Sequence, residues 1–291
     1  MRGLNWFGVL LVGLGVAAVA LRAGAGAQAS SAPGVARAAV SREAVQGQWI
    51  WTARDRELFE RAHQAHPALQ AAVFVATIAC EGGALRTQRG LSPVTAGSAP
   101  RALLVRLSDS VHSCLEPPPE GDFARSLDAR LAALLTEISA TGVHFSELQL
   151  DYDVPVSKLP RWASALGYLH AHSLRGVELW ITSLPAHVAD PYYGSLMRGV
   201  VTGHIIQVFD TGLRCDAESG RHLRAALQAQ GMPYRIGYGT FERSGVSAQQ
   251  SHACWLGLTQ SFRGDPGASG WWVFPAGIGY GSRLAQLLEA L

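Results

Sequence analysis

From Trp49 onward, short apolar runs alternate with longer segments whose apolar residues recur every three or four positions. The runs read as strands: Trp49–Trp51, Ala71–Ile78, Ala102–Leu107, a stretch beginning at Glu147, Val177–Thr182, His204–Phe209, Tyr234–Tyr238 and Trp271–Phe274. Between them the spacing predicts helices over Arg56–His66, around Phe123 to Ile138, and over Lys158–His172, Glu218–Gln230, Gln249–Phe262 and Ser282–Leu291. Phe123, Leu127, Leu131, Leu134, Leu135 and Ile138 give the second of these one apolar face. Gly231 closes the fourth, because glycine accepts the left-handed conformation that ends a helix. The repeats after the second and fifth strands are poorly defined.

Alternating strands and helices require a parallel sheet with crossover helices packed on it. Eight such repeats in about 245 residues have the size and period of a (β/α)8 TIM barrel, an α/β fold. An open doubly wound sheet is the competing arrangement. No glycine-rich phosphate loop follows any strand, which counts against it. The expected organisation is a targeting segment over residues 1–29, a linker over 30–46 rich in Ala, Ser, Gly and Pro, and one barrel domain over 47–291.

The fourth strand is the most unusual. Leu148, Leu150 and Tyr152 alternate with Gln149, Asp151 and Asp153, so one face is apolar and the other carries an amide and two acids. Burying a carboxylate costs several kcal/mol unless it is paired or hydrogen-bonded. Two in line on a strand expected in the core therefore point to chemistry or ligand binding, against the plainer reading of a solvated edge.

Composition adds limits. A net charge of +2, with no basic run, gives no footing for nucleic acid. Arg2, the apolar run Leu4–Leu21 and the small residues Ala27-Gln28-Ala29 have the form of a signal peptide. The run is also long enough to be an uncleaved membrane anchor. Either way the body of the protein is expected in the periplasm or outside the cell. Cys80, Cys114, Cys215 and Cys254 match no zinc spacing and allow up to two disulfides, in three connectivities, or free thiols. His170 and His172 face different ways on their helix and His63 and His66 sit on an outer one, so no histidine metal site is expected; a hard cation between Asp151 and Asp153 is the nearer metal alternative.

In a barrel of this kind the active site lies at the C-terminal ends of the strands. Those ends bring Trp51, Glu81, Gln149, Asp151, Asp153, Thr182, Ser183, Gln207, Asp210, Tyr238, Trp271, Trp272 and Phe274 to one mouth. Ser183 lacks the Gly-x-Ser-x-Gly elbow of a serine hydrolase. Aromatic rings stack on sugar rings, amides bind hydroxyls, and a pair of acids serves a glycosidic bond.

The Leu150-Asp151-Tyr152-Asp153 strand resembles that of an uncharacterised bacterial family, domain of unknown function 3142. That family is regarded as a relative of the TIM-barrel glycoside hydrolases and brings no established activity. A weaker resemblance is to glycoside hydrolase family 18, whose fourth strand carries spaced acids ending in a catalytic glutamate, then an aromatic and proline. Leu148 to Pro155 overlays that pattern with Asp153 at the glutamate position, Gln207-Val-Phe-Asp210 is similar to the end of its sixth strand, and Trp271 or Trp272 stands for its eighth-strand tryptophan. Two departures count. Asp153 is a methylene shorter than glutamate, and a misplacement of about 1 Å can cost on the order of 100-fold. Phe209 lacks the hydroxyl that would hold an acetamido group. Both point away from a substrate-assisted chitinase mechanism and toward another sugar, or binding alone.

The expectation is an extracytoplasmic glycoside-hydrolase-like barrel acting on a poly- or oligosaccharide, with a non-catalytic carbohydrate-binding barrel as the alternative. The expected catalytic residues are Asp153 as acid, Asp151 as its charge partner, and Asp210 or Glu81 across the mouth as base or nucleophile. Gln149, Trp51, Glu81, Gln207, Tyr238 and Trp272 are expected to bind substrate. No cofactor or metal is implied; carbohydrate is the expected partner, with membrane association through the N-terminal segment if it is not cleaved.

Overall fold

The structure, a computed structural model, describes residues 44–93, 100–115, 121–209, 211, 213–214, 216–240, 248–275 and 280–290. The expected signal or anchor, and all of the linker before Ala44, lie outside them.

The elements in order are β1 (Val45–Ile50), α1 (Ala53–Ala65), β2 (Leu69–Glu81), β3 (Ala84–Arg89), β4 (Ala102–Leu107), α2 (Val111–Cys114), α3 (Gly121–Ala140) and β5 (Glu147–Asp151). After them come α4 (Leu159–Ala171), β6 (Glu178–Ser183), α5 (Pro185–Ala189), α6 (Tyr193–Met197), β7 (Gly203–Gln207), α7 (Ala217–Gln230), β8 (Tyr234–Gly239), α8 (Ala248–Gln260), β9 (Ala268–Phe274) and α9 (Tyr280–Ala290). Eight of the strands pair in parallel in the order β1-β2-β4-β5-β6-β7-β8-β9, and β9 returns to β1. The sheet is a closed (β/α)8 barrel.

The two repeats without clear helical periodicity are the two that depart from the plain pattern. After β2 the chain turns at Gly82 and Gly83, both at positive φ, into β3, which pairs antiparallel with the outer half of β2. After β6 come two five-residue helices in place of one long one. Elsewhere the local signals act as read. Thr52 and Asp55 form a capping box that starts α1, and Gly231 ends α7 at φ 62°. Leu127, Leu131, Leu134 and Ile138 bury the apolar face of α3, each contributing about 1.5–3 kcal/mol.

The barrel interior is filled by matching large against small. An added Cβ on Gly47 would lie 2.3 Å from the Trp272 ring, and one on Gly203 would lie 2.6 Å from the Trp180 ring. These glycines are cross-strand neighbours of the indoles they accommodate. Beneath the mouth the filling is polar. Glu147 and Arg235 form an ion pair at 2.7 Å with both side chains buried, and the guanidinium lies 3.6 Å from the centre of the Trp180 ring. Gln149 donates to Glu147 at 2.7 Å and accepts the Trp49 indole N–H at 2.6 Å. The polar face of β5 thus looks inward, and Leu148, Leu150 and Tyr152 look outward.

Of the four cysteines, Cys80 on β2 is bonded to Cys114 on α2, and Cys254 is also disulfide-bonded. Cys215 lies outside the described residues.

Candidate active site

At the C-terminal ends of the strands a cavity of about 180 Å³ is lined by Trp49, Trp51, Leu104, Arg106, Asp151, Asp153, Thr182, Gln207, Phe209 and Phe274. The strand order sorts these into two walls. Apart from Leu104 of β4, the lining from β4 through β7 is polar, with Arg106, the two aspartates, Thr182 and Gln207. From β7 through β9 to β1 it is aromatic: Phe209 stacks on Phe274 at 5.5 Å, and Phe274 meets the edges of Trp49 and Trp51 at 6.3 and 5.7 Å. Phe74 backs Trp51 at 5.0 Å.

The two carboxyls differ in setting. Asp151 is the last residue of β5 and partly buried. Burial first, then the neighbouring Asp153 charge, push its carboxyl up to about 6, against the opposing pull of a Thr182 hydrogen bond and of Arg106. Thr182 is oriented for that bond because its Oγ also accepts the Tyr152 backbone N–H at 3.0 Å. Asp153 sits two residues further, past the strand, and is exposed at the mouth. Its carboxyl is also raised, by desolvation and by Asp109, against His187, Arg106 and a hydrogen bond from Gln207 at 3.4 Å.

The loop that carries Asp153 is clamped from two sides. His187 is buried; its Nδ1 accepts the Leu184 N–H at 3.1 Å, which leaves Nε2 to donate to the Val154 carbonyl at 2.6 Å. His112 reaches the carbonyl of Asp153 itself at 3.3 Å.

The residues singled out from the sequence are distributed as follows. Asp151, Asp153, Gln207 and Trp51 line the cavity. Gln149 is fully buried one step below it, its amide committed to Glu147 and Trp49. Trp272 is also inside the barrel, stacked 6.3 Å from Trp49 and beneath it, and Phe274 takes the lining position on that strand. Tyr238 points outward, buried with its ring edge-on to Trp255 of α8. Glu81 is exposed on the β2–β3 hairpin and does not line the cavity. Asp210 lies outside the described residues. The lining residues passed over were Trp49, Leu104 and Arg106. Trp49 had a signal, since it shares its strand face with Trp51. Arg106 had one too, as a lone charge in an apolar strand.

The family model described as Domain of unknown function (DUF3142) matches residues 119–239, a stretch that holds β5 through β8 and so the residues that carry the resemblance. Among solved structures the chain is similar to the Bacillus cereus spore cortex-lytic enzyme SleL, at 12% identity and a TM-score of 0.58, over 86% of this chain and 75% of that one. It is similar also to the Bacillus megaterium QM B1551 spore cortex-lytic enzyme SleL, at 9% identity and 0.56, over 86% and 74%. At these identities the likeness is one of fold. No curated protein matches the chain.

Proposed function

We propose that this protein is an extracytoplasmic glycoside hydrolase acting on a poly- or oligosaccharide, with Asp153 as the general acid and Asp151 as the partner that shares its proton. The observation that carries this reading is the placement of two adjacent carboxyls, both raised, at the mouth of the barrel opposite an aromatic wall. A sugar ring against Trp51 and Phe274 would face the acids across the cavity. Burial raises both carboxyls and the Asp153 charge raises Asp151 further, so a proton is kept at this site to a higher pH than on an isolated aspartate. Asp153, the exposed member, is the one able to meet a glycosidic oxygen. Asp210 is the proposed base or nucleophile.

An extracytoplasmic setting is supported by the N-terminal apolar run and by the Cys80–Cys114 disulfide, which persists in oxidising compartments. The similarity of the barrel to two enzymes named as spore cortex-lytic supports a carbohydrate polymer as the substrate class.

One observation favours a second reading. Among the described residues, the carboxylates lining the cavity both lie at the end of one strand, whereas most glycosidases flank the bond with two. A carbohydrate-binding barrel without turnover would have this arrangement. The two readings separate in an assay of a glycan panel that includes peptidoglycan, with the wild type and Asp153→Asn. General-acid loss should lower kcat by about 100-fold or more. Undiminished turnover in Asp153→Asn would remove the acid assignment, and binding without cleavage by the wild type would establish the second reading.

A further inference from the structure

The polar wall of the cavity contains one cation that acts on the acid pair only as a charge at a distance. Arg106 is inward-facing on β4, exposed, and level with Asp151 in the sheet register. Cross-strand neighbours of opposite charge ordinarily pair. Here they do not: among the described residues the Arg106 guanidinium has no hydrogen-bond partner and no ion pair within 4 Å, and only its longer-range charge reaches the two acids. Both carboxyls are instead engaged on their other side, Asp151 with Thr182 of β6 and Asp153 with Gln207 of β7. That leaves Arg106 at the β4 edge of the polar wall, beyond which β2 and β1 follow in the strand order. Leu104, two residues earlier on the same face, and Trp51, backed by Phe74, line the same cavity.

A guanidinium presents a planar fork of donors that matches a carboxylate in two parallel hydrogen bonds. The geometry points to a specificity role for Arg106: it reads a carboxylate on the sugar ring that stacks against Trp51, so the favoured ligand is an acidic sugar and not its neutral counterpart. The inference rests on the carbohydrate reading above and narrows it to a substrate class. Arg106 offsets the nearby aspartate charge for such a ligand, and the separation of the walls keeps the ligand's acid on the β4 flank while the aspartates are held toward β6 and β7. The ring carboxylate has two sources, a uronic acid with its carboxyl at C6 and a sugar bearing an ether-linked lactyl acid.

The test is a binding comparison on the purified full-length chain, read by ligand-observed NMR and by quenching of the tryptophans that line the cavity. Methyl glucuronide is paired with methyl glucoside, methyl galacturonide with methyl galactoside, and N-acetylmuramic acid with N-acetylglucosamine. At least one acidic member should bind about tenfold more tightly than its neutral partner, the change expected from one charge-assisted hydrogen bond. Which pair shows it identifies the uronate or the lactyl source. In Arg106→Gln that ratio should fall toward one, and Arg106→Lys should restore part of it. A preference that survives in Arg106→Gln removes the assignment to this residue. Neutral sugars bound as well as or better than acidic ones would overturn the inference and leave the carbohydrate reading standing. No binding of any member would overturn both.

Discussion

Asp151 sits where its charge is costly, and replacing it tests that cost without knowledge of the substrate. Asp151→Asn keeps the shape of the side chain and an oxygen that can accept from Thr182, but it cannot ionise. A carboxyl raised from 3.8 to about 6 in the folded protein corresponds to about 3 kcal/mol at a pH well above 6. Because the residue is only partly buried, solvent screening brings the expected figure to about 1–2 kcal/mol. A raised carboxyl favours folding fully below its unfolded value, and that contribution is lost as pH rises through the folded one. The variant has no such loss. Its advantage over the wild type should be small at pH 4, grow up to about pH 6.5, and level off by pH 8. Urea unfolding at a series of pH values measures this directly, and thermal melting at pH 8 should rise by roughly 4 °C. An advantage of equal size at pH 4 and pH 8, or a variant less stable at pH 8, would refute the account of Asp151 as a strained acid. The same change should abolish any glycan turnover, so that stability and activity move in opposite directions.

Two further changes probe the barrel beneath the site. Arg235→Met leaves the buried Glu147 charge without its principal partner and should cost about 3–5 kcal/mol, while adding Glu147→Met should recover most of it; denaturant midpoints of the single and double variants decide this. Gly47→Ala places a methyl inside the Trp272 ring and should cost about 1–3 kcal/mol or more, with a change in tryptophan fluorescence as the indole shifts toward Trp49; an unperturbed Gly47→Ala protein would show that the interior is less tightly filled than described.

The barrel was legible in the sequence because its signals are local. Apolar runs, helical periodicity and the cap at Gly231 each act within a few residues, and alternation along β5 assigned its two faces from the chain alone. The gaps in the reading were also informative, since the second repeat lacks helical periodicity because β3 stands there. What failed was depth and register. Gln149, Asp151 and Asp153 look equivalent in sequence, yet only the sheet shows that Gln149 is one step too deep to meet a ligand and that Asp153 has already left the strand. Trp272 and Phe274 share a face in the same way, and which of them reaches the cavity depends on how β9 is staggered against β1. Arg106 becomes meaningful only beside Asp151, forty-five residues later in the chain, and that neighbourhood is a property of the register.

The hairpin of β2 and β3 gives the mouth a rigid jamb. β2 continues three residues past Ile78, the partner of the last residue of β4, or about 10 Å at the rise of an extended strand. The Cys80–Cys114 bond fixes this projection to α2, and the Arg89–Glu137 ion pair leans it on α3. A ligand arriving beside it meets a surface whose conformational freedom was surrendered during folding and oxidation, so none of the ordering entropy on that side is charged to binding.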